Sequence, residues 1–99
     1  SLISIAANGE ILSGSSTSLI ADGYRSQVLG NVKPGQWVNL AFEVPGYDTT
    51  GKTTDTVYVY VNGVKKEIKL KIDIYGTRYL RFAPASNDTT LNKIYYYLI

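Results

Sequence analysis

The sequence predicts an all-β fold, an antiparallel β-sandwich, and three observations carry that prediction. First, Val57, Val59 and Val61 alternate with Thr56, Tyr58 and Tyr60, and Ile68, Leu70, Ile72 and Ile74 alternate with Glu67, Lys69, Lys71 and Asp73. Period-two alternation gives a strand one buried and one wet face. Second, Asn62-Gly63 stands between the two runs and supplies the positive φ angles of a type I′ turn. Third, short apolar segments recur roughly every eight to twelve residues between turn residues, and no window has apolar residues at helical spacing.

Taken in order, Leu2–Ala6 and Glu10–Leu12 flank Asn8-Gly9, a second hairpin signal, with strands expected at 2–6 and 10–13. Gly14–Ser18 is a Ser-rich loop or weak edge strand. Leu19-Ile20 precedes the turn signal Asp22-Gly23, and a strand is expected at 24–29. Pro34-Gly35 is a turn into a strand over 37–44, with Val38, Leu40, Phe42 and Val44 on one face and Trp37, Asn39, Ala41 and Glu43 on the other. Pro45–Asp55 holds four Thr, two Gly and two Asp and reads as a long surface loop. The central hairpin is expected over 56–62 and 64–74. With Asn62 and Gly63 as the turn, Val61 faces Val64, Tyr60 faces Lys65, Tyr58 faces Glu67 and Thr56 faces Lys69. Gly76 breaks the run, a short strand follows at 79–82, and 91–98 closes the chain. The expected core is Leu40, Phe42, Val59, Ile68, Leu70 and Ile72.

The 99 residues suffice for one sandwich domain or for the C-terminal portion of a longer one. The chain begins inside a strand-like pattern, Leu2-Ile3-Ser4-Ile5, with no leader segment, so an excised domain or fragment is expected. At 44% hydrophobic and 18% charged, the composition argues against disorder. A net charge of +2 with lysines alternating along one strand does not point to nucleic acid. No apolar run has the length to insert in a membrane as a helix. With no Cys and no His, disulfides, thiolate chemistry, His-based acid–base catalysis and His/Cys metal sites are excluded.

Several motifs together resemble a family. Ile5-x-x-Asn8-Gly9-x-Ile11 is followed by Pro34-Gly35-Gln36-Trp37-Val38-x-Leu40-Ala41-Phe42. Val57-Tyr58-Val59-Tyr60-Val61-Asn62-Gly63 comes after the loop, and Leu91-Asn92-Lys93-Ile94-Tyr95-Tyr96-Tyr97 lies near the end. The order and spacing resemble the laminin-G-like and concanavalin-A-like jelly-roll superfamily. Two departures stand out. Full domains of that superfamily are longer, and the glycine expected after the hairpin is replaced by Leu80-Arg81-Phe82-Ala83-Pro84. The resemblance implies a jelly-roll sandwich that binds glycans or surface proteins, in some members with calcium in the end loops.

Candidate binding residues are aromatic side chains beside polar ones, because a sugar offers both an apolar C–H face and hydroxyls. Tyr58 and Tyr60 share the wet face with Lys65 and Lys69. Tyr is also simply a good strand residue. Tyr47 and Asp48 sit in the long loop that leads into that face. Trp37 is either a sugar platform or, the commoner fate of a Trp opening a strand, packing at the sandwich edge. Asp48, Asp55 and Asp88, with Asp22 and Asn87, are oxygen donors suited to calcium, but no Asp-x-Asp-x-Asp-Gly spacing organises them, and turn-stabilising hydrogen bonds explain them as well. No other cofactor is implied. Glu10, Glu43 and Glu67 fall on separate strands, the superfamily's glucanase pattern Glu-x-Asp-x-x-Glu is absent, and no catalytic activity is expected. The terminal strand carries Ile94, Tyr96 and Leu98 on one side and Tyr95, Tyr97 and Ile99 on the other, which suits a central strand or a contact between chains.

The expected function is therefore a non-catalytic module that binds glycan or a surface protein in an extracellular, cell-surface or virion setting. A rival expectation is a structural piece, such as a phage tail-fibre or oligomerisation domain, forming a homo-oligomer or completed by a complementary segment. A third is a non-catalytic segment of a polysaccharide-degrading enzyme.

Overall fold

The computed structural model describes residues 1–44, 55–74 and 81. Among these the fold is all-β and contains no helix, with two three-stranded antiparallel sheets. The first is ordered β1 (Ile3–Ile5), β2 (Glu10–Ser13), β3 (Val28–Asn31); the second is ordered β4 (Leu40–Glu43), β5 (Thr56–Val61), β6 (Val64–Lys69). The expected strands at 79–82 and 91–98, and the loop residues Tyr47 and Asp48, lie outside the described residues, apart from Arg81.

The central hairpin follows its alternation. Val61 pairs with Val64, Tyr60 with Lys65, Tyr58 with Glu67 and Thr56 with Lys69. Asn62 at φ 48° and Gly63 at φ 82° make the left-handed two-residue turn that this register needs. Val57, Val59 and Val61 are buried while Thr56, Tyr58 and Tyr60 are half-buried on the opposite face. β4 extends the sheet on the other side, with Leu40 opposite Val61, Ala41 opposite Tyr60, Phe42 opposite Val59 and Glu43 opposite Tyr58.

One apolar core is built from both halves of the chain. Ile11, Ile20 and Leu29 come from the first half, and Val57, Val59, Val61, Ile68 and Leu70 from the second. The sheets touch where Gly30 of β3 meets Val61 of β5, a contact so close that a Cβ on Gly30 would lie 2.5 Å from the Val61 Cγ1. The arrangement is sandwich-like: two sheets present their apolar faces to a common interior.

Three expected strands depart from their bounds by more than one residue. The strand expected at 24–29 begins only at Val28. The buried Ser13 hydroxyl donates to the Tyr24 carbonyl at 2.6 Å and accepts the Gln27 N–H at 2.8 Å, which folds 24–27 into a turn with Ser26 at φ 52°. The strand expected at 37–44 is confined to 40–43, although backbone pairing continues one step to Asn39, whose carbonyl accepts the Asn62 N–H at 2.8 Å. The strand expected at 64–74 ends at Lys69. There the segment around Ile20 pairs antiparallel with the chain: Ala21 N–H donates to Lys69 O at 2.9 Å, Lys71 N–H to Leu19 O at 2.8 Å, and Ile20 bridges Leu70. The chain then bends, so Ile72 is 47% exposed rather than core. Leu40 and Phe42 are only half-buried, packed against the cluster instead of forming part of it.

Candidate functional site

Opposite residues in an antiparallel pair project to the same side of a sheet. The outward face of the second sheet therefore carries Ala41 and Glu43 from β4, Thr56, Tyr58 and Tyr60 from β5, and Lys65, Glu67 and Lys69 from β6. Two rows cross it: Glu43–Tyr58–Glu67 and Ala41–Tyr60–Lys65.

The rows are tied together by side-chain contacts. The Lys65 ammonium lies 4.1 Å from the centroid of the Tyr58 ring and 5.9 Å from that of Tyr60, within reach of the negative ring faces. Diagonally across the ladder, the Tyr60 hydroxyl donates to the Glu43 carboxylate at 3.0 Å. Both tyrosines are thus engaged by neighbours of their own chain. A sugar stacking on the covered side of Tyr58 has to displace an ammonium that the ring attracts. At the far end of β6, the Lys69 ammonium stands 6.0 Å from the Tyr24 ring. Asp22 pairs with Arg25 and lies 3.8 Å from the Lys71 ammonium, and the Arg25 Nε–H donates to the Ile20 carbonyl at 3.0 Å, so the 20–25 turn is docked beside that strand end.

Trp37 departs from the packing that a Trp opening a strand commonly has. It is 72% exposed, the most exposed large hydrophobic side chain among the described residues. The cause is local. Gln36 N–H closes a turn onto Lys33 O at 3.1 Å with Gly35 at φ 75°, and the next anchored backbone is Asn39, bound to Asn62. Trp37 lies between these two points, outside β4.

Of the sequence candidates, the structure brings Tyr58 and Tyr60 together on one face and leaves Trp37 open to solvent. Tyr47, Asp48 and Asp88 lie outside the described residues. Asp55 is exposed and accepts the Thr56 hydroxyl at 3.2 Å; among the described residues no group of three or more acidic side chains is placed to hold a metal ion. Two participants were not singled out from the sequence. Glu43 reaches Tyr60 only because β4 pairs with β5, a register that no short turn announces. Tyr24 meets Lys69 only because residues 24–27 turn instead of extending.

Glu43 and Glu67, although on separate strands, flank Tyr58 in one row. Both are exposed on the outward face of the second sheet. What the surface offers is an amphipathic ring in water, two ring faces held by a cation, and an array of mixed charges. No family model matches the chain, no curated protein matches it and no solved structure matches it, so its function is read from its own residues.

Proposed function

We propose that the chain is a non-catalytic binding module, built on a jelly-roll-like sandwich, that engages a glycan through Trp37 and the adjoining sheet surface. The observation that supports this reading is the exposure of Trp37. An indole left 72% open in an otherwise polar stretch exposes apolar surface to water at a cost. Covering it with the C–H face of a sugar ring recovers that cost, while the indole N–H stays available to a hydroxyl. The absence of His and Cys from the sequence and the open setting of Glu43 and Glu67 support a role without catalysis.

Trp37 is the single tryptophan of the chain, so its fluorescence reports the site without a label. Titration with a panel of oligosaccharides is expected to shift that emission for at least one glycan class. Trp37→Ala is expected to weaken binding of that glycan about tenfold, the effect of one aromatic contact of roughly 1.4 kcal/mol, with the urea midpoint unchanged. A panel that binds nothing at millimolar concentration would sink the proposal, as would binding that survives Trp37→Ala intact. Light scattering separates the assembly alternative: a stable dimer or trimer that Trp37→Ala dissolves assigns the exposed indole to self-contact instead.

A further inference from the structure

We propose that Asn62-Gly63 is a self-modification site, at which the Gly63 backbone nitrogen converts Asn62 to aspartate and isoaspartate, while the identical dipeptide Asn8-Gly9 is protected by its surroundings. The inference concerns the turn chemistry and is independent of the proposed glycan site. In the reaction, the Gly nitrogen attacks the Asn Cγ and an N–Cγ bond forms. The bond from Cγ to the side-chain amide nitrogen breaks, and ammonia leaves with the proton from the Gly N–H. Water then adds to either carbonyl of the cyclic imide and breaks that carbon's bond to the ring nitrogen, giving aspartate when Cγ is attacked, or, when the α-carbonyl is attacked, an isoaspartate whose backbone runs through the former side chain. Only water and a mildly basic medium are needed.

The two dipeptides differ at the leaving amide and at the nucleophile. At Asn8, the leaving amide Nδ2 donates to the Glu10 carboxylate at 2.7 Å and Oδ1 accepts the Glu10 N–H at 3.0 Å. The nucleophile is also engaged, since the Gly9 N–H donates to the Ala6 carbonyl at 2.9 Å in a buried residue. At Asn62, Oδ1 accepts the Asn39 N–H at 3.0 Å, but among the described residues neither Nδ2 nor the Gly63 N–H makes a hydrogen bond. Both residues are exposed, and the space around Gly63 is open to 4 Å where a Cβ would stand. Attack at Asn62 therefore disturbs one hydrogen bond, counting side-chain and glycine N–H bonds together. At Asn8 it breaks three and moves a packed turn.

The product has a structural consequence. Asn62 pairs with Asn39 twice, through Asn62 N–H to Asn39 O at 2.8 Å and Asn39 N–H to Asn62 Oδ1. Isoaspartate lengthens the two-residue turn by one backbone atom and removes that acceptor. The chain just before β4, which carries Trp37, then keeps only the Asn62 N–H to Asn39 O bond of the two that anchor it to the turn.

The test is a time course of the whole chain at mildly alkaline pH, followed by peptide mapping that distinguishes asparagine, aspartate and isoaspartate at each site. In the folded protein, conversion at Asn62 is expected to be about tenfold faster than at Asn8, the ratio that roughly 1.4 kcal/mol of extra hydrogen bonding on Asn8 supports. In concentrated urea the two sites are expected to convert at similar rates, since the fold no longer separates them. Asn62→Gly, which keeps a turn-compatible Gly-Gly pair, should abolish the fast component and retain the Asn8 one. Equal folded rates, a faster Asn8, or a folded protein inert at both sites while urea releases both would each overturn the proposal.

Discussion

The two hairpins of this chain are built on the same dipeptide and hold their shape by different means. Between β5 and β6, Asn62 and Gly63 are the whole loop; both have positive φ and both are exposed. That turn is specified by its own residues. Between β1 and β2 the loop is Ala7-Asn8-Gly9, closed by Gly9 N–H to Ala6 O and Ala6 N–H to Glu10 O, and only Gly9 has positive φ. Gly9 is buried, its carbonyl accepts the Val32 N–H at 2.8 Å, and a Cβ there would stand 2.1 Å from the Val32 carbonyl oxygen. This turn is specified by the strand that packs on it. An Asn-Gly pair marks a reversal; whether it is a local or a tertiary element depends on what touches the glycine.

Substitutions can break or sharpen that contrast. The largest losses are expected where both hairpins feed the common core. Ile11 of β2 and Ile68 of β6 are each fully buried, so Ile11→Ala and Ile68→Ala should each cost about 2–5 kcal/mol in urea unfolding. A large loss at only one of them would mean that the sheets do not share one cooperative core. Next come the turn glycines. Gly9→Ala should cost about 3 kcal/mol, since left-handed Ala costs about 1–2 kcal/mol and displacing Val32 loses about one hydrogen bond more. Gly63→Ala meets no neighbour within 4 Å and should cost only the conformational part, about 1–2 kcal/mol. Equal costs would show that the contact with Val32 does not constrain the first turn.

The same contrast explains what the sequence shows and what it hides. The β5–β6 register is legible residue by residue because turn and alternation are local and agree. The alternation also runs on past the strand: Ile72 and Ile74 continue the pattern, yet β6 ends at Lys69, where the segment around Ile20 pairs with the chain, and the backbone bends just beyond. Nothing in residues 70–74 signals that pairing or that bend. The turn at Tyr24–Gln27 is hidden likewise, since it depends on the hydroxyl of Ser13, more than ten positions earlier. Of the candidate site, the Tyr58–Lys65–Tyr60 grouping follows from the local register. The Glu43 contact and the exposure of Trp37 depend on how β4 enters the sheet, which the polar sequence between Glu43 and Thr56 leaves open.

The smallest expected effect distinguishes two adjacent lysines on β6. Lys65 pairs with Tyr60 on the outward face and holds its ammonium over the Tyr58 ring; Lys66 pairs with Val59, projects from the other face, and is exposed. Their charge, strand and helix-free surroundings are the same, so net-charge and propensity effects cancel between them. Lys65→Ala should cost about 0.5–1 kcal/mol, the value of an exposed cation–π contact, and Lys66→Ala should stay within about 0.5 kcal/mol of zero. The contribution of the ring is isolated by repeating Lys65→Ala in a Tyr58→Leu background, where the cost should fall toward that of Lys66→Ala. If Lys65→Ala is as silent as Lys66→Ala in the parent protein, the ammonium does not occupy the ring face in solution. Tyr58 then joins Trp37 as an open aromatic platform, and the ligand surface extends across the second sheet.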